Sequence, residues 1–255
     1  MNRWHLLIPN WVIIVLFCAV LLLNFVASYD GLAVLSKITK VVTVPLVLLY
    51  FFSKRNFMAN IFFTIFLLMF FGDLSSVFNV NELVSKLSKT AYLGSYLLLV
   101  FILIGKLRRV KFEGLISWYL IFIFVLNTYF MYVLFSLVQD NFSDSVNMVL
   151  YVSRGITILI MGFLAFAVYL SKENAQSILF LVLSFCFIFS DVLFYISDLY
   201  VYYWLFEFFE RTLHIIGLFL LYVYVFNHHE LEDKTYQEQA ETTPVLESNS
   251  KQITA

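Results

Sequence analysis

Between residues 7 and 226 the chain divides into eight apolar stretches, each long enough to cross a bilayer as a helix. They fall at about 7–27, 34–53, 57–78, 89–105, 115–137, 147–170, 175–198 and 201–226. A hydrocarbon core of roughly 30 Å needs about 20 apolar residues in helical form. Without water at that depth the backbone must satisfy its own hydrogen bonds, which leaves helices or a closed barrel. The stretches are too long and continuous for tilted strands of about ten alternating residues. Pro (3) and Gly (8) are scarce in 255 residues, so little interrupts them. At 62% hydrophobic and 13% charged, the chain lies far from soluble domains, which are about half apolar and a quarter charged. The expected fold class is all-α. It is a polytopic membrane protein with eight transmembrane helices in residues 1–227, followed by a disordered acidic cytoplasmic tail, 228–255.

The tail expectation rests on charge. Glu230, Glu232, Asp233, Glu238, Glu241 and Glu247 stand against two lysines, with almost no large apolar residue after Leu231. At the other end, Met-Asn-Arg-Trp-His carries one positive charge like a secretion signal. The apolar run that follows is long, however, and has no small-x-small cleavage site, so a retained helix is expected. Orientation follows from basic residues. Arg3, Lys54, Arg55, Lys106, Arg108, Arg109, Lys111 and Lys172 share one side, and only Lys37, Lys86 and Lys89 lie on the other. Positive charge stays inside, so both termini are expected in the cytoplasm, which an even number of spans satisfies. The expected location is integral to a membrane, namely the inner (cell) membrane of a bacterium.

The formal net charge of -1 offers no basic face for nucleic acid, so no nucleic-acid partner is expected. Cys18 and Cys186 both fall within apolar segments and are read as small fillers. Of His5, His214, His228 and His229, only His214 lies at membrane depth, which excludes a zinc site of several intramembrane histidines. No metal and no cofactor is expected.

The main clue to function is the charge inside the spans. Lys40-Val-Val-Thr43-Val-Pro45 and Phe71-Gly72-Asp73 in the first half are echoed by Arg154-Gly-Ile-Thr157 and Phe189-Ser190-Asp191 in the second. The offsets are 114 residues from Lys40 to Arg154 and 118 from Asp73 to Asp191, which points to two four-helix repeats. In the last span Glu207, Glu210, Arg211 and His214 recur at i, i+3, i+4 and i+7, a single stripe on one helix face. Counting from the span ends, Lys40 lies roughly 9 Å inside one membrane surface, with Asp73, Arg154, Asp191, Ser95 and Tyr96 near that level. The last-span stripe runs inward from the same side, so every buried charge falls in one leaflet. The expectation is one polar pocket in the outer leaflet, lined by spans two, three, four, six, seven and eight, above an inner half of plain packing.

Ion pairs Lys40–Asp73 and Arg154–Asp191 could simply lock helices together, and for either pair structure and function weigh equally. Four acids, three bases and a histidine at one level are costly to desolvate, and the cluster as a whole points to a functional site. Thr43 and Thr157 are expected to bond their own helix backbone. Pro45 is expected to break its helix locally, and Asn127 to bond between helices.

At these residues the chain resembles the YhhN family of lysoplasmalogenases, eight-span membrane proteins. A Lys-Pro-Leu-Thr-x-Pro-like run is matched by Lys40-Val-Val-Thr43-Val-Pro45, a Gly-Asp motif by Gly72-Asp73, and a late Phe-x-x-Ser-Asp motif by Phe187-Ile-Phe-Ser190-Asp191. The resemblance runs from about residue 33 to 226. It departs at Val41, where the family has its first proline. It departs again at Tyr96, where the family tends to have His, and at Arg211 and His214, set against a family Tyr and Gln. A changed substrate or a lost activity stands beside the retained one.

The resemblance implies a membrane-embedded lipid hydrolase that cleaves the vinyl-ether bond of lysoplasmalogens to an aldehyde and a glycerophospho-base. Its partners would be a lysophospholipid substrate and membrane lipids. Such chemistry needs a proton delivered to carbon, a stabilised oxocarbenium ion and an activated water, tasks that two carboxylates can divide. Asp73 and Asp191 are the candidate catalytic pair. Lys40, Tyr96, Arg154, Glu207, Glu210, Arg211 and His214 are the candidate substrate-binding residues. Two rivals stay open. One is a transporter with a charged intramembrane site; the other is a non-catalytic lipid-binding protein of the same fold.

Overall fold

In the computed structural model the described residues are 11–53, 58–78, 81–107, 115–138, 144–172, 174–199 and 203–226, and all their regular structure is helical. The first ten residues, the basic loops at 54–57 and 108–114, and the tail lie outside the described residues, as does the side chain of Asn127. The helices are α1 (Trp11–Tyr29), α2 (Ala33–Ser53), α3 (Asn60–Val77), α4 (Glu82–Leu107), α5 (Leu115–Val138), α6 (Ser145–Lys172), α7 (Ala175–Leu199) and α8 (Trp204–Phe226). All but α5 contain a described stretch long and apolar enough to cross a membrane. This is an integral membrane protein.

Helix ends fall close to the hydropathic boundaries except in α4, which starts at Glu82 and not near residue 89. Its first two turns, Glu82-Leu-Val-Ser-Lys-Leu-Ser-Lys89, are too polar for a hydropathy window to register. They are helical because Glu82 pairs with Lys86 one turn on, at 2.9 Å, and a carboxylate in the first turn complements the helix dipole. Lys86 also reaches Asp144 at 2.7 Å, and Lys89 donates to Asn147 at 3.2 Å, so α4 is tied to the start of α6. Pro45 does not end α2, which continues to Ser53. The expected break is therefore absent from the secondary structure. A proline removes one donor, and the flanking turns and neighbouring helices hold the rest.

The core is graded along the helices. At one end Phe51 of α2, Phe62 and Ile65 of α3, Leu99 and Leu103 of α4, Phe180 and Leu183 of α7 and Tyr222 and Tyr224 of α8 pack together, all buried. Even there one cation intrudes: Lys106 bonds the Tyr224 hydroxyl and lies 4.5 Å from that ring. The half expected to be plain packing is thus not wholly so, because a lysine near a helix end can lay its stem along apolar surface and still find an oxygen. At the other end of the same helices lie the intramembrane charges.

α4 packs against α3 and α6. α8 threads the bundle, meeting α1 through Phe17–Phe219 (4.9 Å), α2 through Ser36–Glu207 (3.4 Å) and α7 through Ser190–Glu210 (2.9 Å). Outward-facing Trp118, Phe122 and Val125 of α5 and Trp11, Leu22 and Phe25 of α1 are exposed, as lipid-facing positions should be. Cys18 is exposed and Cys186 buried, both as free thiols.

Candidate functional site

Two carboxylates form the centre, and α4 supplies a hydroxyl to each. Tyr92 donates to Oδ1 of Asp73 at 2.6 Å, and Tyr96, one turn further on, donates to Oδ1 of Asp191 at 2.9 Å. Tyr96 is fully buried, Asp73 is 1% exposed and Asp191 3%.

The Asp73 side depends on Gly72. A Cβ there would stand 3.0 Å from the Tyr92 ring, so the missing side chain lets α4 lay that ring against α3. Ser88 donates to the Gly72 carbonyl at 2.8 Å and holds the two helices at this distance. Oδ2 of Asp73 makes no hydrogen bond among the described residues and faces Nε2 of His214 at 4.0 Å.

The Asp191 side is built differently. Arg154 of α6 grips both oxygens, Nε to Oδ2 and Nη2 to Oδ1, each at 2.6 Å. Such a fork-to-fork pair fixes the carboxylate in direction as well as charge. The guanidinium carbon also lies 4.8 Å from the centre of the Tyr92 ring and 5.6 Å from that of Tyr96, with Phe194 and Tyr195 at 5.7 and 5.6 Å. Rings at these distances favour a cation electrostatically. Arg154 therefore keeps its charge company on every described side, although it is only 6% exposed.

One expected ion pair is thus present and the other is not. Lys40 makes no ion pair within 4 Å among the described residues. It lies in the field of Asp73 and Glu210, and of Arg211 and Arg154. The Lys40–Asp73 pairing is corrected: the rotation of α2 turns Lys40 toward α8, and Tyr92 takes the place at Asp73. Tyr92 itself was missed by sequence reading. In a chain with 16 tyrosines its only signal was the i, i+4 spacing to Tyr96 opposite Gly72-Asp73. Thr43 and Thr157 do bond their own backbones, to Thr39 O at 2.6 Å and Ser153 O at 2.7 Å.

Among the described residues, the expected lining of one polar pocket is divided between two recesses. A polar cavity of about 240 Å³ lies among α1, α2, α3 and α8. Its walls include Ser28, Ser36, Lys40, Ser76, Glu207 and Arg211. Opposite it, an apolar groove of about 300 Å³ lies among α5, α6 and α7, with Gly155, Gly162, Phe163, Phe189 and Tyr195 in its walls and Asp191 at its polar point. The remaining predicted residues complete the cavity side. Glu207 accepts from Ser36 at 3.4 Å, and Glu210 lies 3.5 Å from Arg211 Nε. One carboxylate is thus bonded on both oxygens by a guanidinium, and the other keeps an oxygen without a hydrogen-bond partner among the described residues.

The chain matches no protein-family profile, no curated protein and no solved structure.

Proposed function

We propose that this protein is a membrane-embedded hydrolase for single-chain vinyl-ether lipids of the lysoplasmalogen type, in keeping with the YhhN resemblance of its motifs. The observation that carries the reading is the inequality of the two carboxylates. Asp191 has both oxygens bonded by Arg154. Asp73, with Oδ2 uncommitted, is the group able to carry and release a proton. The flanking recesses fit an amphiphile, the chain in the apolar groove beside Asp191 and the polar part toward Lys40 and Arg211.

In this mechanism Asp73 protonates the β-carbon of the vinyl ether, which turns the enol-ether oxygen into part of an oxocarbenium ion. Asp191 faces the developing positive charge, a placement whose value is greatest where water is excluded. Water adds to the cationic carbon, its released proton returning to Asp73, and the hemiacetal collapses to a fatty aldehyde and the glycerophospho-base alcohol. Atoms balance with water alone as co-substrate.

The topology proposed with it has α5 as an eighth span, two four-helix repeats and both termini in the cytoplasm, and places the carboxylates in the outer leaflet of a bacterial inner membrane. Twenty-four residues of α5 without a charged side chain support the span. The second reading is a non-catalytic lipid-binding protein of the same fold. It draws on Tyr96, which stands where the resembled family tends to have His and is committed to Asp191. Purified protein offered a vinyl-ether lysolipid beside its saturated alkyl-ether analogue decides between them. The hydrolase releases aldehyde from the first only, and a binding protein releases none from either.

A further inference from the structure

We infer that His214 is a positioning residue for Asp73, exchanging a proton with Oδ2 through its Nε2 and so resetting the acid after each turnover; this rests on the hydrolase reading above. His214 was first placed among the substrate-binding residues because it completes the polar stripe of α8. Its surroundings give it a different task. Nε2 and Asp73 Oδ2 are 4.0 Å apart, both are buried, and neither has a hydrogen-bond partner among the described residues. Complementary buried polar atoms are rarely left unpaired. Here the other carboxylate oxygen is anchored by Tyr92, so Oδ2 is directed at the imidazole.

The ring is held in that direction. Tyr92 meets it edge-on at 5.9 Å and 90°, and Phe187 at 5.5 Å and 60°. Phe187 can lie there because Gly217, one turn beyond His214 on α8, has no side chain. A Cβ at Gly217 would come within 2.7 Å of the Phe187 ring. The other charged groups around the imidazole are Glu210 and Arg211 of α8, Lys40 of α2 and Asp191 of α7. Asp191 is occupied by Arg154, and Glu210 lies 3.5 Å from Arg211. Asp73 Oδ2 is the acceptor left facing Nε2. A small rotation of either side chain closes 4.0 Å to the roughly 2.7–3.2 Å of a hydrogen bond. Pairs of this kind are often long before substrate binds.

The proton cycle closes. Asp73 gives its proton to the vinyl carbon, the attacking water releases one, and the imidazole returns that proton to Oδ2. Water is the one co-substrate required.

The test uses the full chain in detergent micelles with nitrogen-labelled histidine. His5, His228 and His229 serve as internal references, and His214→Gln assigns the remaining resonance. Asp73→Asn, a near-isosteric change, is expected to shift the His214 Nε2 resonance and leave the others in place. His214→Gln is expected to lower kcat for a vinyl-ether lysolipid by about 100-fold, hold KM within about twofold, and remove one limb of the pH–rate profile. A His214 resonance indifferent to Asp73→Asn overturns the inference, and so does an unchanged kcat in His214→Gln. Wild-type protein that releases no aldehyde sinks the hydrolase reading instead, and the resonance alone then decides the pair.

Discussion

Tyr92 and Tyr96, one turn apart on α4, donate their hydroxyls to different carboxylates, Asp73 of α3 and Asp191 of α7. One helix thus sets the distance between the two acids. The two bonds are not equivalent. Asp191 retains both Arg154 contacts without Tyr96, whereas Asp73 has no other hydrogen bond from a described side chain. Tyr92→Phe should therefore cost about 1–3 kcal/mol, the range for stranding a buried polar group, and Tyr96→Phe about 0.5–1.5. Thermal unfolding of both variants in one detergent measures the difference. Equal losses would mean that Asp73 finds another donor.

The close approach of α3 and α4 rests on a hydrogen in place of a methyl. Three atoms of the Tyr92 ring would lie 3.0–3.1 Å from a Cβ at Gly72. Gly72→Ala should destabilise by about 1–3 kcal/mol through overpacking and displace the Tyr92 hydroxyl from Asp73. Gly105→Ala, where a Cβ meets nothing within 4 Å, is the control and should be neutral or better. Tyrosine fluorescence is crowded in this chain, so unfolding temperature is the useful readout.

Arg154 and Asp191 stand or fall together. Both side chains are nearly out of solvent, at 7% and 4% exposed. Arg154→Met leaves a buried carboxylate without its counter-charge and should cost about 3–5 kcal/mol, while adding Asp191→Asn to it should recover much of the loss. A double variant no better than the single would show that the pair contributes more than mutual neutralisation.

At the mouth of α6 the Lys86 ammonium, with the backbone N–H of Val146, holds the Asp144 carboxyl below the ordinary carboxylate range. The folded value is depressed, so the stabilisation is complete above the unfolded value of about 3.9 and disappears as pH falls through the lower folded value. The stability difference between wild type and Asp144→Asn should thus be flat from neutral pH down to mild acid and close only in stronger acid. Because the pair is solvent-exposed, salt should shrink it at every pH.

Much of the helical layout was legible, because apolar runs of spanning length have few alternatives in a bilayer. The start of α4 was not, since Glu82, Lys86 and Lys89 are helical for local electrostatic reasons that hydropathy does not register. The membership of the candidate site was legible in part. A charge at membrane depth is conspicuous, so Lys40, Asp73, Arg154, Asp191 and the α8 stripe stood out. Partner choice was hidden, because it depends on helix rotation: Arg154 meets Asp191, yet Lys40 turns to the polar cavity and a tyrosine serves Asp73. The division into a polar cavity and an apolar groove was hidden for the same reason. It follows from which side chains line each recess, and aromatic side chains carry no mark of depth in so aromatic a sequence.

The central claim is that Asp73 and Asp191 do the chemistry together. It is tested most directly by aldehyde release from a lysoplasmalogen by purified protein, measured beside folded Asp73→Asn and Asp191→Asn. The account expects release by the wild type and a loss of at least about 100-fold in each variant, the lower end of general-acid contributions. Release that persists undiminished in either variant contradicts it.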